Sequence, residues 1–145
     1  MRAQDLVVPF PTIGLDSPIA EAARLMAERE LPGLIVLDDR GAPVSILPGT
    51  QVLRLAVPQY CQADPALARV IDEAHADAFV RALGGRTVRQ ALTERPRELP
   101  VTDPDATLLE IAALMARTHS PLVAVLDGGR LLGAVTLSTL LKRLT

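Results

Sequence analysis

Rings are nearly absent from this chain: 145 residues contain two phenylalanines, one tyrosine and no tryptophan. With aromatics at 2%, there is no set of side chains on which the bases of a single-stranded nucleic acid could stack. Charge is equally uninformative as a footprint for polyanions. The net charge is −2, both signs are interspersed, and Lys142-Arg143 is the one adjacent basic pair, so neither nucleic acid nor an anionic membrane surface is an expected partner. A single cysteine, Cys61, leaves no partner for an intrachain disulfide and no multi-cysteine metal site, which fits a reducing compartment. No apolar run reaches the roughly eighteen residues of a membrane span. The start, Met1-Arg2-Ala3-Gln4-Asp5, leads into an apolar stretch broken by Pro9 and Pro11 and does not read as a signal peptide. A cytoplasmic location without direct membrane insertion is the expectation.

Recognisable catalytic constellations are missing too. His75 and His119 are the two histidines, and neither has Asp, Glu or Cys at the following i+3 or i+4 position, although Asp72 lies three before His75. Zinc is therefore not expected. There is no phosphate-cradling G-x-x-x-x-G-K-[ST] loop, and the sole lysine, Lys142, falls near the C-terminus. Asp38-Asp39 has the look of the acidic pair of phospho-acceptor receiver domains, but the later aspartate and the lysine of that chemistry are not here, and a turn explains the pair better. Ser138 and Thr139 have no histidine nearby in sequence. The chain reads as a non-enzyme with no required cofactor.

What it does contain is a duplication. Residues 16–38 recur at 105–127: Asp16, Glu21, Ala23, Leu25, Met26, Ala27, Pro32, Val36, Leu37 and Asp38 each meet an identical residue 89 positions later. The register then slips by one, because Asp39-Arg40-Gly41 is one residue longer than Gly128-Gly129, and Val52-Leu53-Arg54 answers to Leu140-Leu141-Lys142. Two units of this size bury their apolar faces best against each other, about a pseudo-twofold axis.

Each copy reads strand, helix, strand, strand, helix. Thr107 and Glu110 form a capping box ahead of Leu108, Ile111, Ala112 and Met115, which share one helical face. In the first copy Ser17 is the expected cap and Pro18 the first-turn residue, with Ile19, Ala22, Ala23 and Met26 as the matching stripe. Pro32 and Pro121 end these helices and open strands over Leu34–Leu37 and Leu122–Leu126, apolar throughout and so covered on both faces. Hairpin turns at 38–41 and 127–130 lead to Val44–Leu47 and Leu131–Val135. Closing helices follow.

About thirty residues separate the copies, too many for a bare loop in a compact domain. Asp64 as cap, Pro65 in the first turn, and Leu67, Val70, Ile71, Ala74 and Ala78 at helical spacing predict an extra helix ending at Gly84-Gly85. The expected organisation is an α+β fold of two βαββα repeats, residues 1–55 and 87–145, with a helical linker over 56–86.

The second copy carries Pro121-Leu122-Val123-Ala124-Val125-Leu126-Asp127 and then Gly133-Ala134-Val135-Thr136-Leu137-Ser138-Thr139-Leu140-Leu141. This resembles the tandem domains of the cystathionine-β-synthase type (CBS), the Bateman module, whose signature there is glycine, two apolar residues, Thr or Ser, two variable positions, Asp and two apolar residues. The first copy is looser: Ser45-Ile46-Leu47-Pro48-Gly49-Thr50-Gln51-Val52-Leu53 lacks the glycine, the threonine and the aspartate. The resemblance implies a regulatory module that binds an adenosine-containing ligand, such as AMP, ADP or ATP, in the cleft between repeats. It implies a main set of contacts at Val101, Arg117, His119, Pro121, Val135, Thr136 and Thr139, and a weaker set at Ile13, Pro32, Leu47 and Gln51. The family's ribose-binding carboxylate is replaced by Thr139 in one copy and Gln51 in the other. Thr136 also suits a helix N-cap. A homodimer, and a transporter, channel or enzyme as regulated partner, complete what the resemblance implies; a ligand-free dimerisation or interaction module is the alternative.

Overall fold

The computed structural model describes residues 1–57, 62–70, 81–94 and 96–145. Its elements in chain order are α1 (Ala3–Leu6), β1 (Thr12–Gly14), α2 (Ile19–Arg29), β2 (Gly33–Leu37), β3 (Pro43–Pro48), α3 (Gly49–Ala56), α4 (Pro65–Val70), a 3-10 turn (Ala82–Gly85), α5 (Val88–Glu94), β4 (Val101–Thr102), α6 (Leu108–Thr118), β5 (Leu122–Asp127), β6 (Arg130–Thr136) and α7 (Leu137–Leu144). Two three-stranded sheets, β1-β2-β3 and β4-β5-β6, give the α+β fold with its two repeats. Asp64 caps the start of α4 through Ala66 N, as its sequence predicts. Cys61, Ile71, Asp72, Ala74, His75 and Ala78 lie outside the described residues.

Local chemistry explains most of the elements. The Thr107–Glu110 capping box forms in both directions, with Thr107 N to Glu110 Oε2 at 3.3 Å and Glu110 N to Thr107 Oγ1 at 3.2 Å. In the first repeat the cap differs from the expected one: Pro18 occupies the N-cap of α2 and Ser17 supplies no side-chain bond. The Ile19 amide instead donates to the carbonyl of Arg86, so a distant segment does the work of a local hydroxyl.

Both α2 and α6 stop before proline can act. Glu30 and His119, 89 positions apart, each take the left-handed conformation with φ 53°. Leu31 N then donates to Met26 O at 2.9 Å and Ser120 N to Met115 O at 3.3 Å, the six-to-one bond of a Schellman motif. Asp38 makes the first hairpin turn: its Oδ1 accepts from the amides of Arg40 and Ala42, both at 2.9 Å. The second turn joins Asp127 and Arg130 through Gly128 and Gly129, both at positive φ, the geometry of a two-residue hairpin loop.

The chain forms two compact units, and neither coincides with a run of consecutive residues. One comprises Met1–Ile13, Ile35–Ile46 and Arg97–Thr145; the other comprises Gly14–Leu34 and Leu47–Pro96. In the first unit, α1 lies against the start of α6: Ala3 N donates to Ala106 O, Gln4 N to Pro104 O, and Leu108 N to Met1 O. Val8 then pairs with Ala134 through two 3.0 Å bonds, extending the β4-β5-β6 sheet. In the second unit α5 plays the same part toward α2, with Val88 N donating to Ser17 O and Arg89 N to Leu15 O. Each helix is thus received by a segment far from it in sequence.

Two apolar clusters fill the first unit. One gathers Ala3, Leu6, Ile111, Met115, Val123, Val125, Val135 and Leu140 between the helices and one face of the sheet. The other joins Ile35 and Ile46 of the first repeat with Leu99, Leu122, Ala124 and Ala134. Under the repeat offsets Ile35 is the counterpart of Ala124, and Ile46 of Ala134. Equivalent positions carry the large residue in one copy and the small one in the other, a combination that fills space where four isoleucines would collide.

Candidate functional site

The start of α7 brings together three of the second repeat's predicted residues, Pro121, Thr136 and Thr139. The Gly133-Ala134-Val135 strand delivers Thr136 to the N-cap position, where its Oγ1 accepts from Thr139 N at 3.2 Å and lies 3.0 Å from Thr139 Oγ1. Threonine suits this position because an extended residue with a short hydroxyl satisfies one of the amides a helix start leaves bare. Leu137 N donates to the carbonyl of Pro121 at 2.9 Å, tying the proline junction to the same helix end. His119 stands two residues before, exposed, its left-handed backbone closing α6.

Not every predicted residue shares this environment. Val135 is fully buried in the core cluster beside Ile111 and Met115. Val101, 46% exposed, pairs with Ala124 at the sheet edge. Arg117 is exposed in the last turn of α6. Thr136 and Thr139 are half-buried and bonded to each other.

A groove of about 470 Å³ adjoins this end of the repeat. His119 and Pro121 line it, together with Met115 and Ser120 and the outer leucines of α7, Leu137, Leu141 and Leu144. It is chiefly apolar; the Ser120 hydroxyl is already engaged with Leu122 O at 2.7 Å. Thr136, Thr139, Val101 and Arg117 are not among the groove's lining residues. The leucines were visible in sequence as a second apolar face at spacings of four and three residues, beyond the stripe that Leu140 supplies to the core.

In the first repeat the equivalent helix start, that of α3, repeats the backbone and not the side chains. Gly49 N donates to Pro32 O at 2.9 Å, the same bond as Leu137 to Pro121. Pro48 replaces Thr136 and offers no side-chain cap. Leu47 is fully buried, Ile13 is 5% exposed in β1, and Pro32 is exposed. Gln51, also 5% exposed, donates from Nε2 to the carbonyl of Ala91 at 2.8 Å.

No helix among the described residues is long and apolar enough to cross a membrane. No curated protein matches the chain. Among solved structures, a CBS domain-containing protein of unknown function from Kribbella flavida is 51% identical over 99% of this chain and 98% of its own, with a TM-score of 0.85. The CBS domain of a membrane protein from Sphaerobacter thermophilus is 24% identical, covering 98% of this chain and 86% of its own, at a TM-score of 0.72. CBSX2, from Arabidopsis thaliana and solved in complex with AMP, shares the fold at 18% identity and a TM-score of 0.69, over 99% of this chain and 95% of its own. The family model for the CBS domain matches twice, over residues 3–57 and 90–145. The chain belongs to the CBS domain family and carries two copies of the domain.

Proposed function

We propose that the protein is a cytoplasmic regulatory module rather than an enzyme, and that it senses an adenosine-containing ligand held against its second repeat. The observation that carries this reading is the pair of half-buried hydroxyls, Thr136 and Thr139, at the start of an eight-residue helix in the repeat that carries more of the family's motif. A helix start favours negative charge, and hydroxyls that bond each other can turn toward a ribose or phosphate oxygen. The fold relative CBSX2 takes AMP, which makes AMP the first ligand to try. Binding that favours one arrangement of the chain over another then shifts its population, and a transporter, channel or metabolic enzyme reads the change in trans. The test is calorimetric titration with AMP, ADP and ATP. Silence from all three at millimolar concentration refutes the nucleotide reading.

The apolar groove favours a second reading, a ligand-indifferent assembly module. Leu137, Leu141 and Leu144 are 44%, 50% and 68% exposed beside it, and burying such leucines between two chains is the simplest way to form a homodimer. Light scattering on the wild type and a Leu141→Asp variant decides this. A dimer that ignores nucleotide and dissociates in the variant supports assembly; a monomeric wild type ends it.

A further inference from the structure

We infer that Gln51 closes the first repeat to ligand, so that the duplicated chain takes one nucleotide, at the second repeat. The inference rests on the nucleotide reading above and adds to it which repeat is open and what shuts the other. The two helix starts are built on the same backbone: Pro32 O accepts from Gly49 N and Pro121 O from Leu137 N, each at 2.9 Å. Their side chains have opposite fates. At the second, Thr136 and Thr139 are half-buried and Leu137 is 44% exposed. At the first, the counterparts of Val135, Thr136 and Thr139 are Leu47, Pro48 and Gln51, and all three are buried.

Gln51 is committed as well as covered. Its amide reaches across to Ala91 in α5 and donates to that carbonyl. Ala91 is 1% exposed, so water cannot replace the glutamine there. A ligand entering at this position would have to displace a buried side chain and break its bond to a buried residue. Pro48, with no hydroxyl and no amide proton, offers it nothing in exchange. Among the described residues no long-range side-chain bond holds Thr136 or Thr139, and the two hydroxyls satisfy each other locally.

The experiment is titration of the full chain with AMP by calorimetry, with Gln51→Ser as the variant and circular dichroism as the check on its fold. Expected are one equivalent for the wild type and two for Gln51→Ser, the added site being the weaker. Two equivalents for the wild type overturn the closure and leave the nucleotide reading standing, as does a folded variant that still takes one. No binding by either protein overturns both. Amide spectra of the wild type give a second measurement that needs no variant: AMP should shift the Thr136 and Thr139 amides and leave the Gln51 side-chain amide unmoved. A Gln51 amide that shifts on saturation refutes the closure.

Discussion

The Ser45 hydroxyl donates to the carbonyl of Arg97, and Ser45 is the counterpart of Gly133, as Arg97 is of Val8. In the second repeat the Val8 carbonyl comes so close that a Cβ on Gly133 would overlap it, and Gly133 itself sits at φ 152°. There the strand pair closes by backbone alone, Val8 and Ala134 exchanging two bonds. In the first, the Ser45 hydroxyl itself bonds the facing carbonyl. The loss of the family's glycine is therefore compensated locally and does not break the repeat.

Gly133→Ala should cost about 3 kcal/mol, because the obstacle is backbone and cannot rotate away. Ser45→Ala should cost about 1 kcal/mol, the loss of one hydrogen bond. Urea denaturation of both variants checks the order; a Gly133→Ala variant less destabilised than Ser45→Ala contradicts it.

The paired core positions give a second expectation. Ile35→Ala opens a hole in a cluster where the residue is fully buried and should cost about 2–5 kcal/mol. Ala124→Ile overfills the same cluster and should cost about 1–3 kcal/mol. Because these residues are repeat counterparts in one cluster, the double variant Ile35→Ala/Ala124→Ile should be more stable than the sum predicts by about 1 kcal/mol or more. Strict additivity in denaturation midpoints would separate the two positions energetically.

Much of the fold is legible in the sequence, for reasons that differ by element. The stripes Ile19, Ala22, Met26 and Ile111, Met115 are local patterns with a helical period, and they are buried as read. Thr107 with Glu110 is a cap whose partners lie three residues apart, so sequence contains the whole interaction. Ser17 failed as a cap because the competing donor and acceptor sit on segments about seventy residues apart, Ile19 with Arg86. Long-range pairing of that kind leaves no periodic trace. The left-handed stops at Glu30 and His119 were hidden because neither is glycine, the usual marker. Gln51 read as a weakened ribose contact by its place in the motif. Its bond to Ala91, forty residues away, depends on how α5 is received and has no sequence signature.

The left-handed caps lead to a third expectation. Glu30 is exposed, so its replacement by glycine removes the Cβ penalty of φ 53° without uncovering core. The relief of about 1–2 kcal/mol outweighs the extra chain entropy of glycine, about 0.5–1 kcal/mol. Glu30→Gly should raise stability by roughly 0.5–1 kcal/mol and Tm by about 1–4 °C. A lower Tm in a thermal melt would mean that the Glu30 side chain contributes more than its backbone costs.

The position that departs from the family in the second repeat offers the most informative substitution. Thr139 is the third residue of α7 and bonds Thr136 by both its amide and its hydroxyl. An aspartate there keeps the amide bond to Thr136 and adds negative charge to the first turn, where the helix dipole stabilises it by about 0.3–1 kcal/mol. Thr139→Asp should therefore fold at least as well as the wild type. If ribose hydroxyls meet this position, a carboxylate acceptor contributes about 1.5–3 kcal/mol against about 1 for the neutral hydroxyl, which corresponds to about tenfold tighter AMP binding. Calorimetry and a denaturation curve on the same preparation read both quantities. A stabilised variant whose AMP affinity is unchanged would move the sugar away from Thr139, and weaker binding would mean that a phosphate lies there, repelled by the new charge.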